Sequence, residues 1–133
     1  MWAWSRAWEG WYRRLLPSYW IFLFLVTHLP KLHLGGPPSS DKFTHIAAYG
    51  TLAFLYWRFF ESFERPLSGR FVWGAALWLA VYALLDEATQ PLVGRSADML
   101  DWLCDMLGAG VALGLLEWRR RSDARSRRCE PGP

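Results

Sequence analysis

The sequence predicts an all-α integral membrane protein, a bundle of four transmembrane helices with both termini in the cytoplasm. Hydrophobic residues make up 53% of the 133-residue chain, and the charged residues stand in bands between long apolar runs. Such banding is typical of a polytopic membrane protein rather than of a soluble core. With the termini inside, twelve of the 15 Lys and Arg residues fall on the inner side and three on the outer side. This excess of basic residues predicts the orientation.

The predicted spans follow from the apolar runs, which lie at residues 15–29, 43–60, 71–85 and 99–118. Residues 1–14 alternate tryptophan with charge, a composition that suits the membrane interface, so we expect an interfacial segment there. Pro17 fits the first turn of the first span and Pro30 fits its exit. No small-residue cleavage site of the A-x-A kind follows this run, so it is interpreted as a retained helix rather than a signal peptide.

The third and fourth spans have recognisable boundaries. The run at residues 71–85 is short for a hydrocarbon core of about 30 Å, so the helix is expected to continue into residues 86–90. Pro91 and Gly94 should then break it. Three arginines at residues 119–121 end the fourth span, and residues 119–133 are predicted to form a basic, disordered tail. The membrane domain therefore covers residues 15–118.

Composition excludes several classes of protein. The basic residues flank apolar runs and form no amphipathic stripe of their own, so the lipid bilayer is the expected partner and nucleic acid is not. The two cysteines form neither a CxxC pair nor a Cys/His spacing suited to zinc.

The polar residues that need an explanation all fall at the predicted outer side. Asp41, His45 and Tyr49 repeat every four residues and share a helix face. Asp98, Asp101 and Asp105 also share a face, which should point into the bundle because that helix enters lipid. The candidate catalytic residues are Asp41, His45, Asp86, Glu87, Asp101 and Asp105, and the candidate ligand-binding residues are Lys42, Gln90, Arg95 and Asp98.

Small residues continue this pattern deeper in the fourth span. Gly108 and Ala112 extend the face that carries the acids, and Gly110 and Gly114 form a second pair spaced by four residues. Small residues at this spacing allow two helices to approach closely. We therefore expect the fourth helix to be the central, tightly packed one.

Two stretches, DKFTHIAAYGTL and DEATQPLVGRSADMLDWLCDMLGAGVALG, resemble the VanZ-like family of glycopeptide-resistance accessory proteins over approximately residues 20–117. The resemblance implies a multi-pass protein of the bacterial plasma membrane that acts in the cell envelope. It also implies low-level tolerance of teicoplanin and a glycopeptide or lipid-linked cell-wall precursor as partner. The family commonly has Asn where this chain has Asp105.

Four interpretations of the acidic cluster stay open, and whether the chain is an enzyme is not decided. The first is a structural network, with Asp41 and Asp98 as helix caps and ion pairs Asp86–Arg95 and Asp101–Lys42. The second is an acid–base site acting on a lipid or lipid-linked headgroup, with His45 as proton carrier.

The third interpretation is a divalent cation, because Asp, Glu and Gln oxygens without cysteine suit Mg²⁺, Mn²⁺ or Ca²⁺ more than zinc, and His45 could add a nitrogen ligand. D-E-x-x-Q is not a recognised metal motif, so no metal ligand is assigned and no cofactor is required. The fourth is a binding module for an anionic or glycopeptide ligand. His28 and His33 are interpreted as polar residues at headgroup level.

Overall fold

The computed structural model describes residues 3–29, 38–63 and 67–129, and all regular structure in these ranges is helical. The four α-helices are α1 (Ala3–His28), α2 (Pro38–Glu61), α3 (Gly69–Thr89) and α4 (Met99–Cys129). The predicted all-α fold is confirmed. Pro30, Lys31, His33 and the Gly/Pro-rich part of the first loop lie outside the described residues.

The N-terminal segment differs from the expectation. Residues 1–14 were expected to form a separate interfacial element, but α1 is continuous from Ala3 to His28. Pro17 therefore lies inside the helix rather than in its first turn. A proline in a helix interior removes one backbone hydrogen bond. Two arginines and two leucines, residue types that favour helix, directly precede it at residues 13–16, and the helix continues through that position.

The end of α3 agrees with the prediction that the helix continues past residue 85. It extends to Thr89 and then tightens into a 3₁₀ turn, Gln90–Val93. Gly94 ends this turn with φ +76°, a left-handed conformation that glycine adopts without steric cost. The chain can therefore reverse within a few residues and begin α4 beside the end of α3.

The C-terminal boundary is the second difference. A disordered tail was expected after residue 118, whereas α4 continues to Cys129. Residues 119–129 contain neither Gly nor Pro. The Glu117 carboxylate accepts hydrogen bonds from Arg120 Nε at 2.7 Å and from Arg121 Nε at 2.7 Å. Pairs at these spacings each stabilise a helix by about 0.2–0.5 kcal/mol. The arginines expected to stop the helix therefore help to extend it.

Packing makes α2 and α4 the central pair. Their backbones are in the most extensive contact in the bundle, while α3 packs on α4 and α1 packs on α2. The interface between α1 and α3 is made by large side chains, with the rings of Trp20 and Tyr82 centred 5.0 Å apart. Leu52, Ala53 and Leu79 are fully buried in the middle.

The outer surface of the bundle carries many large apolar side chains. Trp73 is 79% exposed, and leucines on α4 such as Leu107 and Leu115 are also exposed. Large apolar side chains exposed in such number mark contact with lipid or with another protein. Two segments of the described chain, Gly69–Val93 and Met99–Ser126, are long and apolar enough to cross a membrane.

Candidate functional site

The contact between α2 and α4 brings His45 against Asp105. His45 Nδ1 lies 2.9 Å from Asp105 Oδ1, and His45 Nε2 lies 3.7 Å from Asp101 Oδ2. Both aspartates are on the face of α4 that the sequence pattern predicted to point into the bundle. The shorter contact is a hydrogen bond, in which Nδ1–H is the donor when Asp105 is ionised. One imidazole therefore lies between two carboxylates that come from the other half of the sequence.

The mouth of the cluster lies nearer the surface. Lys42 Nζ is 4.0 Å from Asp101 Oδ1, so the expected Asp101–Lys42 pair is present. Asp41 is exposed and lies in the first turn of α2, which begins at Pro38. It therefore does not occupy the capping position that the sequence suggested. One ligand atom each of Asp41, His45 and Asp101 lie within 4.8 Å of one another.

Glu87 joins the end of α3 to the start of α4. Gln90 Nε2 donates to Glu87 Oε1 at 3.1 Å, and the backbone N–H of Asp98 donates to Glu87 Oε2 at 3.1 Å. Asp98 in turn caps α4, since its Oδ1 accepts the backbone N–H of Leu100 at 2.9 Å. The D-E-x-x-Q segment thus fixes the loop that leads into α4.

Asp86 belongs to a second group, formed with α1. Thr27 Oγ1 donates to Asp86 Oδ1 at 2.9 Å, and His28 Nδ1 lies 3.7 Å from the same oxygen. The expected Asp86–Arg95 pair does not form. Arg95 Nη1 instead donates to the backbone oxygen of Val26 at 3.2 Å. The loop arginine therefore ties the α3–α4 connection to α1 rather than neutralising an acid.

Sequence reasoning missed the contribution of α1. Thr27 and His28 contact Asp86, and His28 Nε2 lies 2.8 Å from Thr89 Oγ1. A threonine–histidine pair at the end of an apolar run gives no signal of its own. The only available sign was that the predicted topology places His28 at the same edge of the membrane as Asp86.

Buried acids outnumber their cationic partners at this end of the bundle. Asp86 is 3% exposed, Glu87 is 5% exposed and Asp105 is 0% exposed. Among the described residues, no lysine or arginine forms an ion pair with these three. Asp86 Oδ2 and Asp105 Oδ2 are buried without a hydrogen-bond partner in that part of the chain. Such groups are costly unless a proton, a cation or a ligand compensates them.

The other end of the bundle has a different character. A cavity of about 640 Å³ opens there, lined by aromatic, aliphatic and charged side chains that include Tyr12, Trp57, Arg58, Leu116 and Arg120. Arginine is the main charged residue of this end, whereas aspartate and glutamate dominate the cluster around His45. Basic side chains are therefore concentrated at one end of the bundle and acidic side chains at the other.

Comparison with known proteins agrees with the motifs. The model of a family described as VanZ/LLP1 matches residues 2–120. The chain belongs to this family. No curated protein and no solved structure shows a significant match.

Family membership confirms the resemblance carried by the Asp41–His45 and Asp86–Asp105 segments. Together with the two helices of span length, it supports a membrane protein of the VanZ-like type.

Proposed function

We propose that this VanZ-like chain is a multi-pass protein of the bacterial plasma membrane whose acidic cluster faces the outside of the cell. There it acts in the cell envelope and provides low-level tolerance of lipoglycopeptides such as teicoplanin. The contact between His45 Nδ1 and Asp105 Oδ1, 2.9 Å long, carries the proposal. It joins the two separate motifs of the family resemblance into one site that can act on, or hold, a surface component.

The proposed orientation is supported by the charge difference between the two ends. Arginines cluster beside Arg58 and Arg120, and basic residues favour the cytoplasmic side. The opposite end holds His45 and the buried acids. Four spans with both termini inside would place these acids at the outer leaflet, within reach of headgroups and of cell-wall precursors.

A topology reporter tests the orientation. One of two reporters is fused after Pro133. The first is alkaline phosphatase, and the second is a fluorescent protein that matures only in the cytoplasm. Alkaline phosphatase should be inactive and the fluorescent protein bright. The reverse pattern would place the C-terminus outside and the cluster inside.

Tolerance measurements test the function. We expect His45→Gln, Glu87→Gln and Asp101→Asn each to reduce the teicoplanin tolerance of a producing strain towards that of a strain lacking the gene. Glu61→Gln is the matched control, because this exposed glutamate pairs with Arg58 at the other end of the bundle. Immunoblots of the membrane fraction establish equal protein levels. Normal levels with unchanged tolerance in all three variants would remove the proposal.

A second candidate function is catalysis on a lipid or lipid-linked headgroup. It is favoured by the placement of His45 between Asp105 at 2.9 Å and Asp101 at 3.7 Å. An imidazole held by carboxylates can accept and return a proton. Profiles of lipids and cell-wall precursors separate the two functions. A product that disappears with Glu87→Gln supports an enzyme, whereas unchanged profiles with lost tolerance support binding.

A further inference from the structure

We propose that His45, Glu87 and Asp105 bind a divalent metal ion of the first transition row. One ligand atom from each of the three lie within 4.8 Å of one another. The donors come from α2, α3 and α4, so no local spacing in the sequence brings them together. The inference rests on the proposed function in one respect, because it takes the cluster around His45 to be the functional site.

Burial distinguishes this trio from an ordinary group of surface acids. Asp105 is 0% exposed and its Oδ2 has no hydrogen-bond partner among the described residues. His45 and Glu87 are buried as well. No described lysine or arginine pairs with either carboxylate. A dication is the kind of ligand that compensates two buried carboxylates at once.

The surroundings hold the donors as metal ligands are commonly held. Glu87 is oriented by Gln90 Nε2 and by the backbone N–H of Asp98, each at 3.1 Å. Such outer contacts fix a ligating carboxylate and raise affinity. The 2.9 Å separation of His45 Nδ1 and Asp105 Oδ1 is a hydrogen bond that an ion would replace. Only an unprotonated ring nitrogen is a ligand, so for Nδ1 to bind the ion its proton moves to Nε2 in a neutral imidazole and is released from an imidazolium.

The donor set indicates the class of ion. One imidazole nitrogen with two carboxylate oxygens suits Mn²⁺ or Zn²⁺ better than Mg²⁺ or Ca²⁺, which take oxygen ligands. Three protein ligands leave coordination positions open for water or for a phosphate oxygen. Open positions are the mark of a site that acts on a ligand rather than of a closed structural site.

Mn²⁺ itself is the probe. The full chain is purified in detergent, treated with a chelator and titrated with MnCl₂, and free Mn²⁺ is followed by electron paramagnetic resonance. We expect one Mn²⁺ per chain, competition by Zn²⁺, and a nitrogen coupling in the spin-echo spectrum of the bound ion. The coupling tests histidine ligation on the unaltered protein. No binding, or bound Mn²⁺ without nitrogen coupling, would overturn the proposal.

Variants then locate the ion. Asp105→Asn and Glu87→Gln should weaken Mn²⁺ binding by about tenfold or more, the scale typical of a disturbed metal site. Asp41→Asn and Asp101→Asn are the controls for the alternative set of ligands, because one ligand atom each of Asp41, His45 and Asp101 also lie within 4.8 Å of one another. They should change the affinity by less than about threefold, well short of a lost ligand. Loss in the controls with retention in the first pair would contradict the assignment.

The metal site and the proposed function can fail separately. If the variants lose tolerance but the unaltered chain binds no Mn²⁺, the proposed function stands and the metal site is refuted. If the unaltered chain binds Mn²⁺ tightly but the variants keep full tolerance, the metal site stands and the proposed function is refuted.

Discussion

Gly108 of α4 packs directly on the backbone of Ile46 in α2. A Cβ built at Gly108 would overlap the Ile46 carbonyl oxygen and stand 2.8 Å from its carbonyl carbon. Ile46 follows His45 in sequence, and Gly108 is three residues after Asp105. The close approach of the two backbones therefore sets the distance between His45 and Asp105, and a packing feature determines the geometry of the site.

Gly108→Ala should force α2 and α4 apart. Overpacking of this kind typically costs about 1–3 kcal/mol, and here the obstacle is backbone, which cannot rotate away. We expect reduced stability in a denaturant titration in detergent, together with loss of teicoplanin tolerance. Gly110→Ala is the matched control, because an added Cβ there meets nothing within 4 Å among the described residues. It should be neutral or slightly stabilising, as helix propensity favours alanine over glycine by about 1 kcal/mol. Equal behaviour of the two variants would refute this account of the packing.

The glycines also show what the sequence could predict. The helical spacing correctly predicted that Gly108 lies against a neighbouring helix, because Gly108 continues the face of α4 that carries the aspartates. Gly110 and Gly114 have the same four-residue spacing, but added Cβ atoms there meet no described atom within 4 Å. No helix of the described bundle therefore packs closely on this pair. Spacing identifies which residues share a face, but not which face another helix covers.

A similar limit applies to the polar residues. The i,i+4 pattern and the two ends of each apolar run were enough to predict that Asp41, His45 and the acids of α4 meet. The partners of individual acids were less predictable. Arg95 was expected to pair with Asp86, yet the side chain contacts Val26 and Asp86 contacts Thr27. Those choices depend on the distance between α1 and α3, which no sequence spacing encodes.

Thr27→Val tests the anchoring of Asp86 to α1. The change keeps the shape of the side chain but removes the hydroxyl that donates to Asp86 Oδ1 at 2.9 Å. Since Asp86 Oδ2 already has no described partner, the change removes a hydroxyl donor from a buried carboxyl group that is not fully hydrogen-bonded. We expect a loss of about 1–3 kcal/mol in the free energy of unfolding, the usual penalty for an unsatisfied buried group.

Thr51→Val is the control for this change. Thr51 is exposed, and its hydroxyl donates to the backbone oxygen of Ala47 within the same helix, at 2.8 Å. Removing such a bond at the surface should alter stability by no more than about 0.5 kcal/mol. A cost at Thr27 no larger than that at Thr51 would mean that the Asp86 contact contributes little.

The coupling between His45 and Asp105 can be measured directly with a double-mutant cycle. His45→Gln, Asp105→Asn and the double variant are compared by unfolding in detergent. We expect a coupling energy of about 1–2 kcal/mol, near the upper end of polar contacts in membrane proteins, because one partner is a carboxylate. The pair His45→Gln and Glu117→Gln, at opposite ends of the bundle, should be additive within about 0.5 kcal/mol. Additivity in the first pair would mean that the two side chains do not interact.

The extension of α4 to Cys129 is open to a spectroscopic test. Nitroxide labels are placed one at a time at residues 119–126 in a chain whose Cys104 and Cys129 are replaced by serine. A helix gives label mobility that oscillates with a period of about 3.6 residues, whereas a disordered tail gives uniformly high mobility. We expect the oscillation.

Glu117→Gln should raise mobility at residues 122–126, because it removes the pairs with Arg120 and Arg121, worth about 0.2–0.5 kcal/mol each. Glu61→Gln removes a pair from α2 alone and should leave the pattern unchanged.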